Sequence, residues 1–261
     1  MDASDSMLQA ASGSASSRSK DRADGSGERH GAAPPMPPRM LSRLAHDIRS
    51  PLGLVSGALE ELEADLASSL DPGHRRMFEL AGRGLRRLER MASVLQTASE
   101  LDGDGVELDR GEIDVGGAVR GTVERLERAD PRRNVEVDVD ARDGVTLSLD
   151  GPRFEEALRE LVAQARRNAR KRVRVAVEDD DEQLTIRVED DGAGWSAERR
   201  EHAFDRLYEP EDRGGTGLGL SVARDLIRLH DGEVVLEDST LPPGRPGTVG
   251  GAFVITIPRR D

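Results

Sequence analysis

The chain has 261 residues, a formal net charge of −13 and only 2% aromatic residues, so it can form one large or two modest domains, and its core has to be aliphatic. Acidic and basic residues are interspersed without a basic stripe, which argues against binding nucleic acid or anionic lipid and for soluble protein partners. The lack of cysteine excludes disulfides, thiolate metal sites and a cysteine nucleophile. No stretch approaches the roughly 20 apolar residues of a membrane span, and residues 1–5 lack the basic and apolar regions of a secretory signal, so an unanchored cytoplasmic protein is expected.

Residues 1–38 are rich in Ser, Gly, Asp, Ala and Pro and nearly free of large apolar side chains, a composition that reads as a disordered tail. After it, Leu41, Ala45, Ile48, Leu52, Val55, Leu59, Leu62 and Leu66 recur at alternating spacings of four and three, a heptad seam that predicts a helix from about residue 39 to 70. His46, Asp47 and Ser50 fall off that seam, on the solvated face. Pro51 removes a helical hydrogen bond and crowds the carbonyl of Asp47, so a bend at the histidine is expected. These features fit a reactive histidine and equally fit an ordinary surface histidine on a proline-containing coiled coil.

Asp71-Pro72-Gly73 is a turn with a helix cap. A second helix follows to about residue 101, with a seam of Met77, Ala81, Gly84, Leu88, Met91, Leu95 and Ala98. Two antiparallel helices with apolar seams cannot enclose a core alone, so the hairpin is expected to dimerise into a four-helix bundle. Leu101-Asp102-Gly103-Asp104-Gly105 breaks the pattern and marks a domain boundary. Beyond it, helices are predicted at 118–129, 151–170 and 218–230, and strands at 135–139, 145–149, 173–177, 184–188, 234–236 and 253–257. The acidic run 179–182 joins two of these strands as a hairpin turn. The mixture predicts an α+β chain, a helical hairpin followed by a two-layer α/β sandwich.

Two glycine-rich runs stand beside the predicted strands and helices. Asp190-Asp191-Gly192-Ala193-Gly194 follows directly on a strand, where glycines permit a tight turn next to a carboxylate able to accept a purine amino group; a plain turn explains it as often. Gly214-Gly215-Thr216-Gly217-Leu218-Gly219-Leu220 precedes a helix and can offer backbone N–H groups and a helix N-terminus to phosphates. The other reading is a flexible linker, although the interleaved Leu218 and Leu220 serve no purpose in one.

In this order the pieces resemble the two-component sensor histidine kinases, over about residues 40–258. The run from His46 to Leu52 resembles the phosphoacceptor box, Asp190 to Gly194 and Gly215 to Leu220 the two glycine boxes, and Phe204-Asp205-Arg206-Leu207-Tyr208 the F box. The resemblance implies a dimerisation and histidine-phosphotransfer domain at 39–102 and an ATP-binding domain of the GHKL (Bergerat) fold at 103–261. It also implies that His46 is the phosphoryl acceptor, that Asp47 assists it, and that Asp190 takes the adenine amino group. Gly192 and Gly194 would let the nucleotide approach, and Gly215, Thr216, Gly217, Leu218 and Gly219 would shape the lid around its phosphates.

The helix carrying Glu160 and Gln164 aligns with the family's N box, where two asparagines are usual. By that alignment Glu160 would be a base or water-mediated ligand, and Gln164 would hold Mg²⁺ through its amide oxygen, displaced by one methylene from the usual position. Asn168, one turn later, is a second candidate amide. The function implied is ATP-dependent autophosphorylation of His46 and transfer to an aspartate on a separate response regulator, with a second copy of the chain and an upstream sensor protein as further partners. The alternative is a catalytically weak kinase, or a phosphotransfer or binding module, because of Gln164.

Overall fold

The computed structural model describes residues 38–66, 71–103, 106–130, 134–208 and 216–259. Residues 1–37 of the tail expected at 1–38, residues 67–70, and residues 209–215 with Gly214 and Gly215 of the second glycine run lie outside the described residues, and Pro38 already belongs to the first helix.

Helix α1 (Pro38–Leu66) runs unbroken through Pro51, and α2 (Pro72–Leu101) begins at the expected cap. The Asp71 carboxylate accepts from the N–H of Gly73 at 2.7 Å and of His74 at 3.1 Å, satisfying donors that a helix N-terminus leaves open. Between the helices, Arg49 donates to the Gln96 side chain. The paired helices leave much of the seam in water: Val55 is 53% exposed, Leu62 51%, Met77 66% and Leu88 47%.

The rest of the fold alternates helices with strands. Strand β1 (Gly111–Asp114) leads into α3 (Val115–Ala129), followed by β2 (Glu136–Asp140), β3 (Thr146–Leu149) and α4 (Gly151–Asn168). Strands β4 (Arg172–Asp179) and β5 (Gln183–Asp190) form the expected hairpin, its turn held by the Asp180 carboxylate accepting from the N–H of Glu182 and Gln183 at 2.8 Å each. A short α5 (Ala197–Glu201), α6 (Gly219–Leu229), β6 (Glu233–Asp238) and β7 (Gly251–Pro258) complete it. The main sheet has the order β2-β4-β5-β7-β6, antiparallel except for the parallel β2–β4 pair, and β1 pairs with β3 in a separate two-stranded ribbon.

Alternation along each strand sends one set of side chains to the helices and the other to solvent. Val173, Val175, Leu184, Ile186, Phe253 and Ile255 are buried against Phe154, Leu158 and Leu161 of α4 and Val222, Leu226 and Ile227 of α6. On the other face, Arg187 pairs with Glu237 at 2.7 Å. Helices on one face of a mostly antiparallel sheet make the two-layer sandwich the sequence predicts. The core also takes in Val94 and Ala98 of α2, so it is continuous across the break at residues 102–103. Ion pairs reinforce this: Arg153 of α4 meets Glu100 at 2.7 Å, and Arg206 pairs with Asp102 and with Asp225.

Buried His230 closes α6 onto α4. Its Nδ1–H faces the Leu226 carbonyl at 2.8 Å, and Nε2 accepts from the Asp150 N–H at 3.1 Å. Burial holds its pKa below the ordinary value, so the ring is neutral.

Candidate functional site

His46 stands where the heptad pattern puts it. Its side chain is 82% exposed, with the Asp47 carboxylate oxygen 3.6 Å from Nδ1. The seam neighbour Ala45 is fully buried, which turns the following residue outward.

A second candidate element is a cavity of about 460 Å³ between α2, α4 and the entry to α6. Of the residues that sequence reasoning singled out, Glu160, Gln164, Thr216, Gly217 and Gly219 line it, whereas His46, Asp47, Asp190, Gly192, Gly194, Asn168 and Leu218 are not among its lining residues. The sequence reading missed the arginines. Arg83, Arg86, Arg87 and Arg90 of α2 face Arg166 and Arg167 of α4 across this space, with Arg199 nearby, its guanidinium 4.7 Å from the centre of the Trp195 ring. The sequence does carry a signal for them, because residues 83, 86, 87 and 90 share one helical face at spacings of three and four.

The two described glycines of the second run, Gly217 and Gly219, each have a specific reason. Gly217 has φ +65°, and a Cβ there would lie 2.7 Å from the Leu207 carbonyl carbon. Leu207, itself at φ 64°, donates its N–H to the Gly217 carbonyl at 2.8 Å. This pair fastens the two described ends of the lid segment, while Phe204 anchors one side by meeting Phe253 edge-on at 6.4 Å. A Cβ at Gly219 would lie 2.6 Å from Glu160 Oε2, so glycine lets the buried carboxylate press against the start of α6. Leu218 is 4% exposed and its side chain joins the core; only its backbone is available to a ligand.

For the first run the structure adds a packing reason for glycine. A Cβ at Gly192 would lie 2.2 Å from the Asn168 carbonyl oxygen. At Gly194, with φ +76°, it would lie 2.0 Å from that of Val249. The loop is packed backbone to backbone against the end of α4 and the approach to β7, so these glycines are required whether or not a nucleotide approaches. Asp190 is fully buried, and its Oδ1 accepts from the Gly192 N–H at 2.8 Å. Asp191, passed over in the sequence, ties the α4–β4 turn: its Oδ1 accepts from the N–H of Arg170, Lys171 and Arg172 at 2.8 to 3.1 Å. Burial raises that carboxyl's pKa, but the backbone donors outweigh it and hold it below the usual range.

The residues expected to hold Mg²⁺ do not fit it. Gln164 Oε1 accepts from Arg167 Nε at 3.0 Å and also from Arg167 Nη2, so a guanidinium occupies the lone pairs that a metal would need. Glu160 has Arg159 Nε 3.5 Å from its Oε1. Among the described residues no group of three or more His, Asp or Glu side chains is placed to hold a metal. Asn168 ends α4 with its backbone carbonyl against Gly192, and it is not among the residues that line the cavity.

Residues 39–103 match the family model of the His Kinase A (phospho-acceptor) domain, and residues 149–261 match that of the histidine kinase-, DNA gyrase B- and HSP90-like ATPases. The chain belongs to the two-component sensor histidine kinases. Among curated members of this family, the signal transduction histidine-protein kinase AfsQ2 of Streptomyces coelicolor is 28% identical over 235 residues, 85% of this chain and 42% of its own length. The sensor histidine kinase MtrB of Mycobacterium tuberculosis is 30% identical over 227 residues, 84% of this chain and 39% of its own length. The chain thus spans about two fifths of either sensor kinase. Full-length ShkA, solved in complex with AMPPNP, shares the histidine kinase fold with a TM-score of 0.63 at 20% identity, covering 85% of this chain and 46% of that one. The Acinetobacter baumannii histidine kinase AdeS aligns with a TM-score of 0.52 at 21% identity, over 83% of this chain and 98% of that one. Among the described residues no helix is long and apolar enough to cross a membrane.

Proposed function

We propose that the chain is a protein-histidine kinase that takes the γ-phosphoryl group of ATP onto His46 and passes it to an aspartate on the receiver domain of a separate response regulator. The observation that carries this reading is one exposed histidine beside a carboxylate, on a helical hairpin joined through a shared core to an ATP-binding fold. Residues 39–102 act as the phosphoacceptor hairpin, two copies of which form a four-helix bundle, and 103–261 act as the ATP-binding domain. The chemistry belongs to the cytoplasm, where ATP is supplied, and an upstream sensor protein provides the input.

In the transfer, the Asp47 carboxylate beside Nδ1 favours the tautomer with the proton there, leaving the Nε2 lone pair as nucleophile. Nε2 bonds to the γ-phosphorus as the bond to the β,γ-bridging oxygen breaks, and ADP leaves. Asp47 offsets the positive charge that develops on the ring. Asp190 reads the adenine amino group, and Thr216, Gly217 and Gly219 face the phosphates. His46 is not among the residues that line the cavity, so the nucleotide site and a histidine, of its own chain or of the partner, have to be brought together for transfer. Magnesium at Gln164 and Glu160 is not part of this proposal, because the Gln164 oxygen is committed to Arg167.

The test is incubation with γ-labelled ATP followed by addition of an isolated receiver domain. The proposal predicts an acid-labile, base-stable label on the chain that moves to the receiver domain; an acid-stable label would assign the phosphoryl group to a hydroxyl and contradict it. The engagement of Gln164 by Arg167 favours a second reading, a binding module with weak transfer. Tight ATP binding with little label, and label restored by Gln164→Asn, would select that reading.

A further inference from the structure

Six arginines from two helices, Arg83, Arg86, Arg87, Arg90, Arg166 and Arg167, line one compartment, and the carboxylates among its described lining residues are Asp130 and Glu160. The arginine wall is held in place, not left to drift. The turns of α2 just beyond Arg90 put Val94 and Ala98 into the core, and Glu100 is fixed to Arg153 of α4 at 2.7 Å. Across the cavity stand Thr216, Gly217 and Gly219, at the entry to α6.

Taking the cavity as the nucleotide site, we propose that the α2 arginines bind the phosphates in place of a divalent cation, so that this chain takes ATP as the metal-free polyanion. Guanidinium groups match phosphate oxygens in bidentate geometry and keep their charge at any physiological pH. A magnesium ion needs near-octahedral oxygen ligands at about 2.0–2.1 Å, and the amide oxygen aligned for that role is hydrogen-bonded to Arg167. Placing a dication among these guanidinium groups adds repulsion that a metal-free ligand avoids. Burial lowers the Arg90 pKa; Glu160 opposes this, while Arg159 and Arg86 add to the lowering. The polyphosphate supplies what the wall lacks.

Binding of ATP, ADP and adenosine to the full chain, measured by calorimetric titration in Mg²⁺ and in excess EDTA, tests this. Chelation should change the wild-type affinity for ATP by less than about threefold. Arg86→Gln/Arg90→Gln, whose heads lie at the cavity surface, should weaken ATP in EDTA by about tenfold or more, ADP less, and adenosine not at all. The two single substitutions, each checked by circular dichroism, guard against loss of fold. A tenfold or larger loss of wild-type ATP affinity on chelation, or unchanged ATP affinity in the variants, overturns the inference and leaves the kinase reading intact. Failure of the wild type to bind either ATP or adenosine removes the nucleotide assignment of the cavity, and this inference with it.

Discussion

The hairpin and the sandwich meet the same requirement, burial of apolar surface, in different ways. The sandwich closes on itself: Phe154, Leu158, Leu161, Ile186 and Ile255 are fully buried within one chain. The hairpin leaves Val55, Leu62, Met77 and Leu88 about half or more exposed, a stripe that one pair of helices cannot cover and that a second copy would. The sandwich supplies most of its own core, with Val94 and Ala98 of α2 joining it, whereas the hairpin keeps an apolar face that association with a second copy would cover. His46 stands on the half completed by association.

The sharpest way to break this comparison is to damage each half and ask whether the loss depends on protein concentration. Phe154→Ala removes a fully buried ring and should cost about 3–5 kcal/mol, read by chemical denaturation and independent of concentration. Gly194→Ala comes next, because its φ of +76° and the Val249 carbonyl 2.0 Å from a new Cβ combine backbone strain with a clash. The expected cost is about 2 kcal/mol or more by the same measurement. On the hairpin, Leu62→Glu should leave the sandwich intact and raise the dimer dissociation constant by about tenfold or more in analytical ultracentrifugation. An unchanged dissociation constant would mean that the exposed seam is not the association surface.

The smallest effect is pH-dependent and belongs to the sandwich alone. His230 is held neutral below its ordinary pKa of 6.5, so between the folded and unfolded values the unfolded chain binds more protons. Stability is therefore full above about pH 6.5 and declines as the pH falls through that value. Asp191 acts in a lower window, since its stabilising contribution is present above the ordinary carboxyl value of 3.8 and is lost as the pH falls further. Thermal melts from pH 7.5 to 5 should show the first decline, and His230→Gln should flatten it.

Most elements were legible in the sequence because they are long enough to show a period. The Leu41 to Leu66 heptads gave α1, the alternation in 173–177 and 184–188 gave the central strands, and Asp71-Pro72 marked the start of α2. β1 has 4 residues and α5 has 5, too few for any period to register. The glycines of the first run were legible as glycines but not for their physical reason, which is the carbonyls of Asn168 and Val249, one of them more than 50 residues away in sequence. The cavity was the least legible part. Arg83, Arg86, Arg87 and Arg90 share a helical face whose use shows only once they line a cavity with residues of α4, and Gln164 read as a metal ligand until Arg167, three residues on, takes its oxygen. Ala98 likewise read as a hairpin seam residue, because a seam does not say what it packs against, and Val94, which lies off that seam, joins the same core.

The central claim, that the ATP-binding half serves the histidine on the hairpin, is tested most directly by His46→Gln in the full chain, with ATP affinity and phosphoryl incorporation measured on the same sample. Because His46 is not among the residues lining the cavity, the account predicts unchanged ATP affinity and no acid-labile label. Incorporation at the wild-type level in this variant would contradict it.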